Sequence, residues 1–208
     1  MSNDLEYLEN DGGKYEAGFV GKKITGDCVT RAITIATGLQ YSHVRRELMS
    51  RQFDWSQKHN SKAAKRCRAR STKSVFRGVW AEVYKKYLDD LGWTYVSCAK
   101  VGDPNKKYMN TLDIPVGIVI VKQTKHLACV IDHVVNDSWD CRQTYKWIDG
   151  QPTERKINKC VWGYWIKSST ERQATNERHR TNTGDHRDAA RSSSTRRTAP
   201  RDCGTDAR

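Results

Sequence analysis

Apolar residues return every third or fourth position in the first half of this chain and every second position in much of the second half. Val29, Ala32, Ile33 and Ala36 follow the i, i+3, i+4, i+7 spacing of a helix with one buried stripe. They predict a first helix over residues 27–38, with Asp27 or Thr25 as N-cap and Gly38 as C-terminal stop. A second helix starts at Ser42, with Val44, Leu48 and Met49 as its apolar positions. A third runs from Phe76 to Leu91, where Trp80, Val83, Tyr84, Tyr87, Leu88 and Leu91 share one face, and Gly92 ends it.

From Trp93 the period shortens. Trp93 to Cys98 alternates, and Val116 to Val121 is a continuous apolar run of the kind a strand buried on both faces carries. A hairpin follows, His126–Ile131 and then Val134–Asp140, and after it Tyr145–Ile148, a turn at Asp149-Gly150, and a last strand at Cys160–Ile166. Helices first and strands afterwards predict an α+β fold, with N-terminal helices packed on a C-terminal antiparallel sheet.

Three segments fall outside that pattern. Residues 1–22 are polar and glycine-rich, an extended lead-in with a short strand near Phe19-Val20. Residues 55–77 carry eight basic side chains (Lys58, Lys62, Lys65, Arg66, Arg68, Arg70, Lys73, Arg77), no acidic one and almost nothing to bury, which predicts an exposed insertion. Residues 168–208 are Ser, Thr, Arg, Asn and Asp with hardly an aliphatic side chain, which predicts a disordered basic tail. The folded domain is therefore expected over 23–167.

Charge sharpens the picture. Lys and Arg number 37 against 24 Asp and Glu, a net +13, and mean hydropathy is −0.83. Such a chain is drawn to polyanions or acidic protein surfaces, and 55–77 is the segment expected to meet nucleic acid or an acidic host protein. With only Trp55 and Phe76 flanking that segment, contact with phosphates is expected there rather than base stacking. The tryptophans elsewhere fall on predicted helix and strand faces and suit a core or a cleft wall. No apolar run reaches the length of a membrane span, and the polar, acidic N-terminus is unlike a signal peptide. A cytoplasmic location with reduced thiols is expected for the seven cysteines. No C-x-x-C or C-x-x-H pair occurs, so neither a metal nor a cofactor is expected.

The candidate chemistry begins at Gly26-Asp27-Cys28. A thiol attacks a carbonyl as the thiolate, and a helix N-terminus stabilises that charge. A histidine then holds the thiolate as an ion pair and later protonates the leaving group, and a third polar group orients the ring. His126 opens the hairpin, and the hairpin's register ranks its partners. If Asp132-His133 is a two-residue turn, Ala128 faces Asp137, and His126 and Asp137 become diagonal neighbours on one face. A three-residue turn brings Asp140 opposite His126 instead, and Asn136 points the other way. Asp137 is preferred, then Asp140, then Asn136. Asp27 would raise the thiol pKa as a free carboxylate and would interfere less if committed as an N-cap.

The stretches Gly26–Gly38, His126–Asp140 and Cys160–Trp165 together resemble small papain-like proteins of tailed bacteriophages and prophages, related in style to C39-type cysteine peptidases. The resemblance spans about 20–166 without the basic segment. It implies a papain-like fold, Cys28 as nucleophile, His126 as base and Asp137 as orienting acid. It departs from the usual pattern where a glutamine is expected about six residues before the nucleophile. Lys22 stands there, so the oxyanion would fall to the Cys28 N–H with Thr25 or a lysine. The function expected is a thiol protease or amidase cleaving a peptide, isopeptide or amide bond, with acyl transfer or deamidation open to the same residues. The alternative is a non-catalytic basic binding protein on the same scaffold.

Overall fold

The computed structural model describes residues 5–20, 26–70, 75–100, 104, 107–109, 114–148 and 151–167, with backbone alone at 144–147 and 152–158. Four helices precede most of the strands: α1 (Cys28–Thr37), α2 (Tyr41–Lys58), α3 (Lys62–Ala69) and α4 (Ala81–Asp90). The strands are β1 (Glu6–Glu9), β2 (Trp93–Ser97), β3 (Lys107–Tyr108), β4 (Ile118–Gln123), β5 (His126–Ile131), β6 (Val134–Asp137), β7 (Gln143–Ile148), β8 (Gln151–Asn158) and β9 (Cys160–Lys167). The α+β class expected from the sequence is the class found. All of these elements lie within one compact unit, Met1–Ser168. The tail expected at 168–208 lies outside the described residues.

The main sheet runs β1-β6-β5-β4-β9-β2, with β3 also paired to β9, and β7-β8 forms a separate two-stranded ribbon. It is mixed rather than wholly antiparallel, because β1 pairs with β6 in parallel. That strand replaces the one expected at Phe19-Val20, a stretch with no strand in the structure. Its sequence, Glu-Tyr-Leu-Glu, lacks alternation, and Leu8 is exposed while the preceding Leu5 is buried. An edge strand held on one side needs no apolar pattern of its own.

Both faces of the central strands are covered. Ile120, Leu127, Cys129 and Trp165 pack with Ile33, Leu48 and Leu88 of the helices. Val119, Val121, Val130 and Val161 join Leu5, Met109 and Val135 in a second core. Two-sided burial accounts for Val119–Val121, whereas Val116 and Ile118, expected to be buried in the same run, are exposed.

The basic segment is better folded than its composition predicts. α2 carries it to Lys58, and α3 then begins at Ser61, whose hydroxyl accepts the Ala64 N–H at 3.1 Å. Ala64 and Cys67, spaced i and i+3, are fully buried among the charges. Two small residues make an apolar stripe too narrow to read in so basic a stretch. The helix expected to begin at Phe76 begins instead at Ala81, after a 3-10 turn at Val75–Arg77. Lys73 lies outside the described residues.

Candidate active site

Gly26 sets the entry to α1. Its φ is +91°, and a Cβ there would meet the Phe76 carbonyl oxygen at 2.6 Å, so only glycine lets the chain pass this close. Gly26→Ala is expected to cost about 2 kcal/mol or more from backbone strain and contact together. Urea unfolding checks it, and an unchanged midpoint would show that this approach does not hold the start of α1.

Asp27 occupies the N-cap position but makes no side-chain cap. Its carboxylate, fully buried, accepts hydrogen bonds from the Arg31 guanidinium and from the Tyr41 hydroxyl at 2.7 Å, and lies 3.2 Å from the Lys14 ammonium. It is thus committed, though to cations and a phenol rather than to helix N–H groups. Tyr41's own pKa is pushed up by its burial and by that hydrogen bond to Asp27.

Cys28 is the first residue of α1 and half-buried. The His126 ring and the Leu127 backbone N–H stand close enough to its sulfur to stabilise the anion. Burial pushes the Cys28 pKa up. The bond to His126, that ring's charge, the Leu127 N–H and the Arg31 charge together outweigh it and bring the pKa below the ordinary thiol value.

His126 opens β5 where the sequence expects it, and the hairpin has the expected register. Cys129 pairs with Asn136, Val130 with Val135 and Ile131 with Val134. The turn is Asp132-His133, both with positive φ (47° and 68°), as a two-residue I′ connection requires. The His126 Nε2–Asp137 Oδ2 distance is 2.5 Å, which leaves Nδ1 as the ring nitrogen for a thiol. Burial works against charging the ring, but the bonds to Asp137, Cys141 and Cys28 and the Asp137 charge push its pKa up to about 11. Burial likewise works against the Asp137 carboxylate, and the His126 bond and charge together with Arg31 hold its pKa below the usual range.

The other two acid candidates are occupied elsewhere. Asp140 accepts hydrogen bonds from Arg142. Asn136 faces away, accepting from Asn10 Nδ2 at 3.1 Å and donating to the Val134 carbonyl. Lys22 and Thr25, the expected oxyanion donors, lie outside the described residues.

Sequence reasoning missed two members of the site. Arg31 is 6% exposed and bridges Asp27 and Asp137, its NH2 3.1 Å from Asp137 Oδ1. The helical stripe places it opposite the buried positions, as a solvated charge. The one available signal was the Asp27/Arg31 spacing of i, i+4 on an otherwise uncharged helix. Cys141, fully buried, lies beside His126, and burial pushes its thiol pKa up. Ligand atoms of His126, Asp137 and Cys141 lie within 4.8 Å of one another, close enough for one cation. They come from β5, β6 and the segment after it, so no local motif signals them. A soft cation there would compete with the His126–Asp137 bond. Trp139 covers the ring, their centroids 5.3 Å apart, and the Lys159 ammonium sits 4.2 Å from the Trp139 centroid.

No family model, curated protein or solved structure matches this chain. Among the described residues, no helix is long and apolar enough to cross a membrane.

Proposed function

We propose that this protein is a cysteine hydrolase on a papain-like fold, cleaving a peptide, isopeptide or side-chain amide bond through Cys28, His126 and Asp137. The observation that carries the reading is the buried His126–Asp137 pair, 2.5 Å apart on the β5–β6 hairpin, with Cys28 at the N-terminus of the helix packed beside β5 and its pKa lowered by the His126 ring. The thiolate sulfur adds to the carbonyl carbon. The imidazolium proton passes to the leaving amine, and a thioester remains. Water, deprotonated by the now neutral ring, then adds to the thioester and releases the acid and the thiol. The first N–H groups of α1 have no partner within the helix, and the Cys28 N–H among them is of the kind an oxyanion needs. The papain-like fold is supported by helix-then-sheet order, with the thiol on the first helix and the histidine on a strand packed beside it. The resemblance of the Gly26–Gly38 and His126–Asp140 stretches to phage-encoded proteins supports a viral protein working in the host cytoplasm.

The test is thiol mapping and peptide cleavage together. Iodoacetamide at neutral pH is expected to label Cys28 ahead of Cys98, Cys129, Cys141 and Cys160. Burial pushes the pKa up at Cys98, Cys129 and Cys141. A digest of host proteins incubated with the protein should yield new termini or released ammonia that Cys28→Ala does not produce. Equal labelling of all thiols, or a product spectrum identical to that of Cys28→Ala, would sink the reading.

A further inference from the structure

The basic segment and the aromatic residues beyond it meet in a cleft that the thiol chemistry does not use. The cleft, 220 Å³ in volume, lies between α2, the end of α3 and the start of α4, and its walls include Gln52, Arg70, Arg77, Gly78 and Trp80. Trp80 lies only three residues past the basic run in sequence, and the fold brings it back against that run. Its ring centroid is 6.0 Å from that of Trp55, and the Arg70 guanidinium carbon lies 5.9 Å from it. The Trp80 backbone N–H is anchored on the Gln52 side chain, 3.2 Å away and itself 1% exposed. The backbone that carries the indole is therefore held in place before any ligand arrives, and the Trp55 ring packs beside it. Gly78, with φ +90° and open space where a Cβ would stand, leaves the wall beside it clear.

The charge along residues 55–77 is one-sided. Lys62, Lys65 and Arg66 are exposed on α3, Arg70 is exposed just past its end, Lys58 ends α2, and Arg77 is exposed on the 3-10 turn. Arg68 is different, because it braces α2 by donating to the Ser56 and His59 carbonyls. Asp54 on α2 and Glu82 in the first turn of α4 are the carboxylates nearest in sequence, and none lies between them until past Arg77. A row of cations spread over two helices suits a ligand with repeated negative charge. A fixed indole face with a guanidinium beside it suits a flat π-system. One ligand class has both properties and the flexibility to turn a base into a small cleft.

We propose that this cleft binds single-stranded nucleic acid, with a base stacked on Trp80 and the flanking phosphates held by Arg70 and Arg77. An acidic polypeptide meets the charge but leaves the indole unused, and a duplex keeps its base faces hidden. Binding is without strong sequence preference, since every base offers a π-face.

The test uses the full-length protein and a fluorescently labelled short oligodeoxythymidylate, read by anisotropy between about 50 and 300 mM salt. In Arg70→Gln/Arg77→Gln, both side chains being exposed, the slope of log K against log salt should shrink by roughly 1.4, or about 0.7 per lost phosphate contact. Trp80→Leu should weaken binding about tenfold with little change of slope, and Trp80→Phe should recover part of the loss. Thermal melting checks that each variant folds. An unchanged slope in the double-arginine variant places binding elsewhere on the chain and overturns the proposal. Polyglutamate competing as well as the oligonucleotide, with Trp80→Leu binding normally, overturns it in favour of an acidic protein partner.

Discussion

Replacing His126 with asparagine is expected to slow iodoacetamide labelling of Cys28 by about tenfold at pH 7 and by more at pH 6. The reasoning follows the thiolate population. In the wild type, burial opposes the Cys28 charge, and the His126 hydrogen bond and the His126 charge are the largest effects that overcome it. Remove both and burial is opposed only by the Leu127 N–H and the Arg31 charge, so the thiol pKa rises toward the ordinary value near 8.5, where about 3% is ionised at pH 7 and about tenfold less at pH 6. The depressed thiolate is a weaker nucleophile, which trims the gain from the lowered pKa. The sign of the pH dependence separates the two proteins. With the His126 pKa raised to about 11, the wild-type ring stays protonated through the neutral range and keeps the Cys28 pKa lowered, so the labelling rate should rise less steeply with pH there than in the variant. His126→Asn should instead gain rate steadily with pH until its raised thiol ionises. Asp137→Asn should lie between, since it keeps the ring but removes the first of the groups that raise the ring's pKa. Parallel pH profiles for wild type and His126→Asn would mean that no thiolate–imidazolium pair exists, whatever the geometry.

How far that pair is legible in the sequence depends on the range of the forces involved. The stripe of Val29, Ala32, Ile33 and Ala36 is local, so α1 forms where the pattern places it, with Gly38 at φ +69° closing it. The β5–β6 register is also local. Two residues of positive φ fix the turn, and the turn fixes every pair behind it, which is how Asp137 ranks above Asp140 before any coordinate. The missed features are long-range. Nothing near Glu6–Glu9 indicates a strand, because its partner is 128 residues away at Val134–Asp137. Cys141 meets His126 through a loop path that no period describes. Trp80 looks like an ordinary helix-face residue until the 3-10 turn ends the basic segment and sets it at the rim of a cleft. Arg31 is the most instructive. A charge on the polar side of an amphipathic helix is normally solvated, and only the convergence of Asp27 and Asp137 on the same guanidinium makes its burial stable.

That convergence gives the largest expected effect on stability. Arg31→Met, which keeps most of the side chain's apolar stem, is expected to destabilise the fold by about 3–5 kcal/mol. The loss is a large part of the ~5–15 kcal/mol that holds a domain together. It arises because Asp27, fully buried, and Asp137, 2% exposed, are left without a shared counter-charge. Lys14 and Tyr41 still touch Asp27, and His126 still touches Asp137, which keeps the loss from being greater. Arg31→Lys should recover only part, since a single ammonium cannot fork between two carboxylates as a guanidinium does. Adding Asp27→Asn to Arg31→Met should be less than additive, with a coupling of about 1–3 kcal/mol. Acid should narrow the gap. Arg31 is one of the groups that lower the Asp137 pKa, so its stabilising share is present above the unfolded carboxylate value of about 3.9 and is lost as pH falls through the lower folded value. In Arg31→Met the folded Asp137 pKa rises, so the two proteins converge as Asp137 protonates. Urea midpoints at neutral and acid pH measure all of this. A loss under about 1 kcal/mol, or a gap that does not close in acid, would mean that the guanidinium does not neutralise the two aspartates. Asp137 would then owe its low pKa, and its hold on the His126 ring, to the imidazolium and the Ser138 N–H alone.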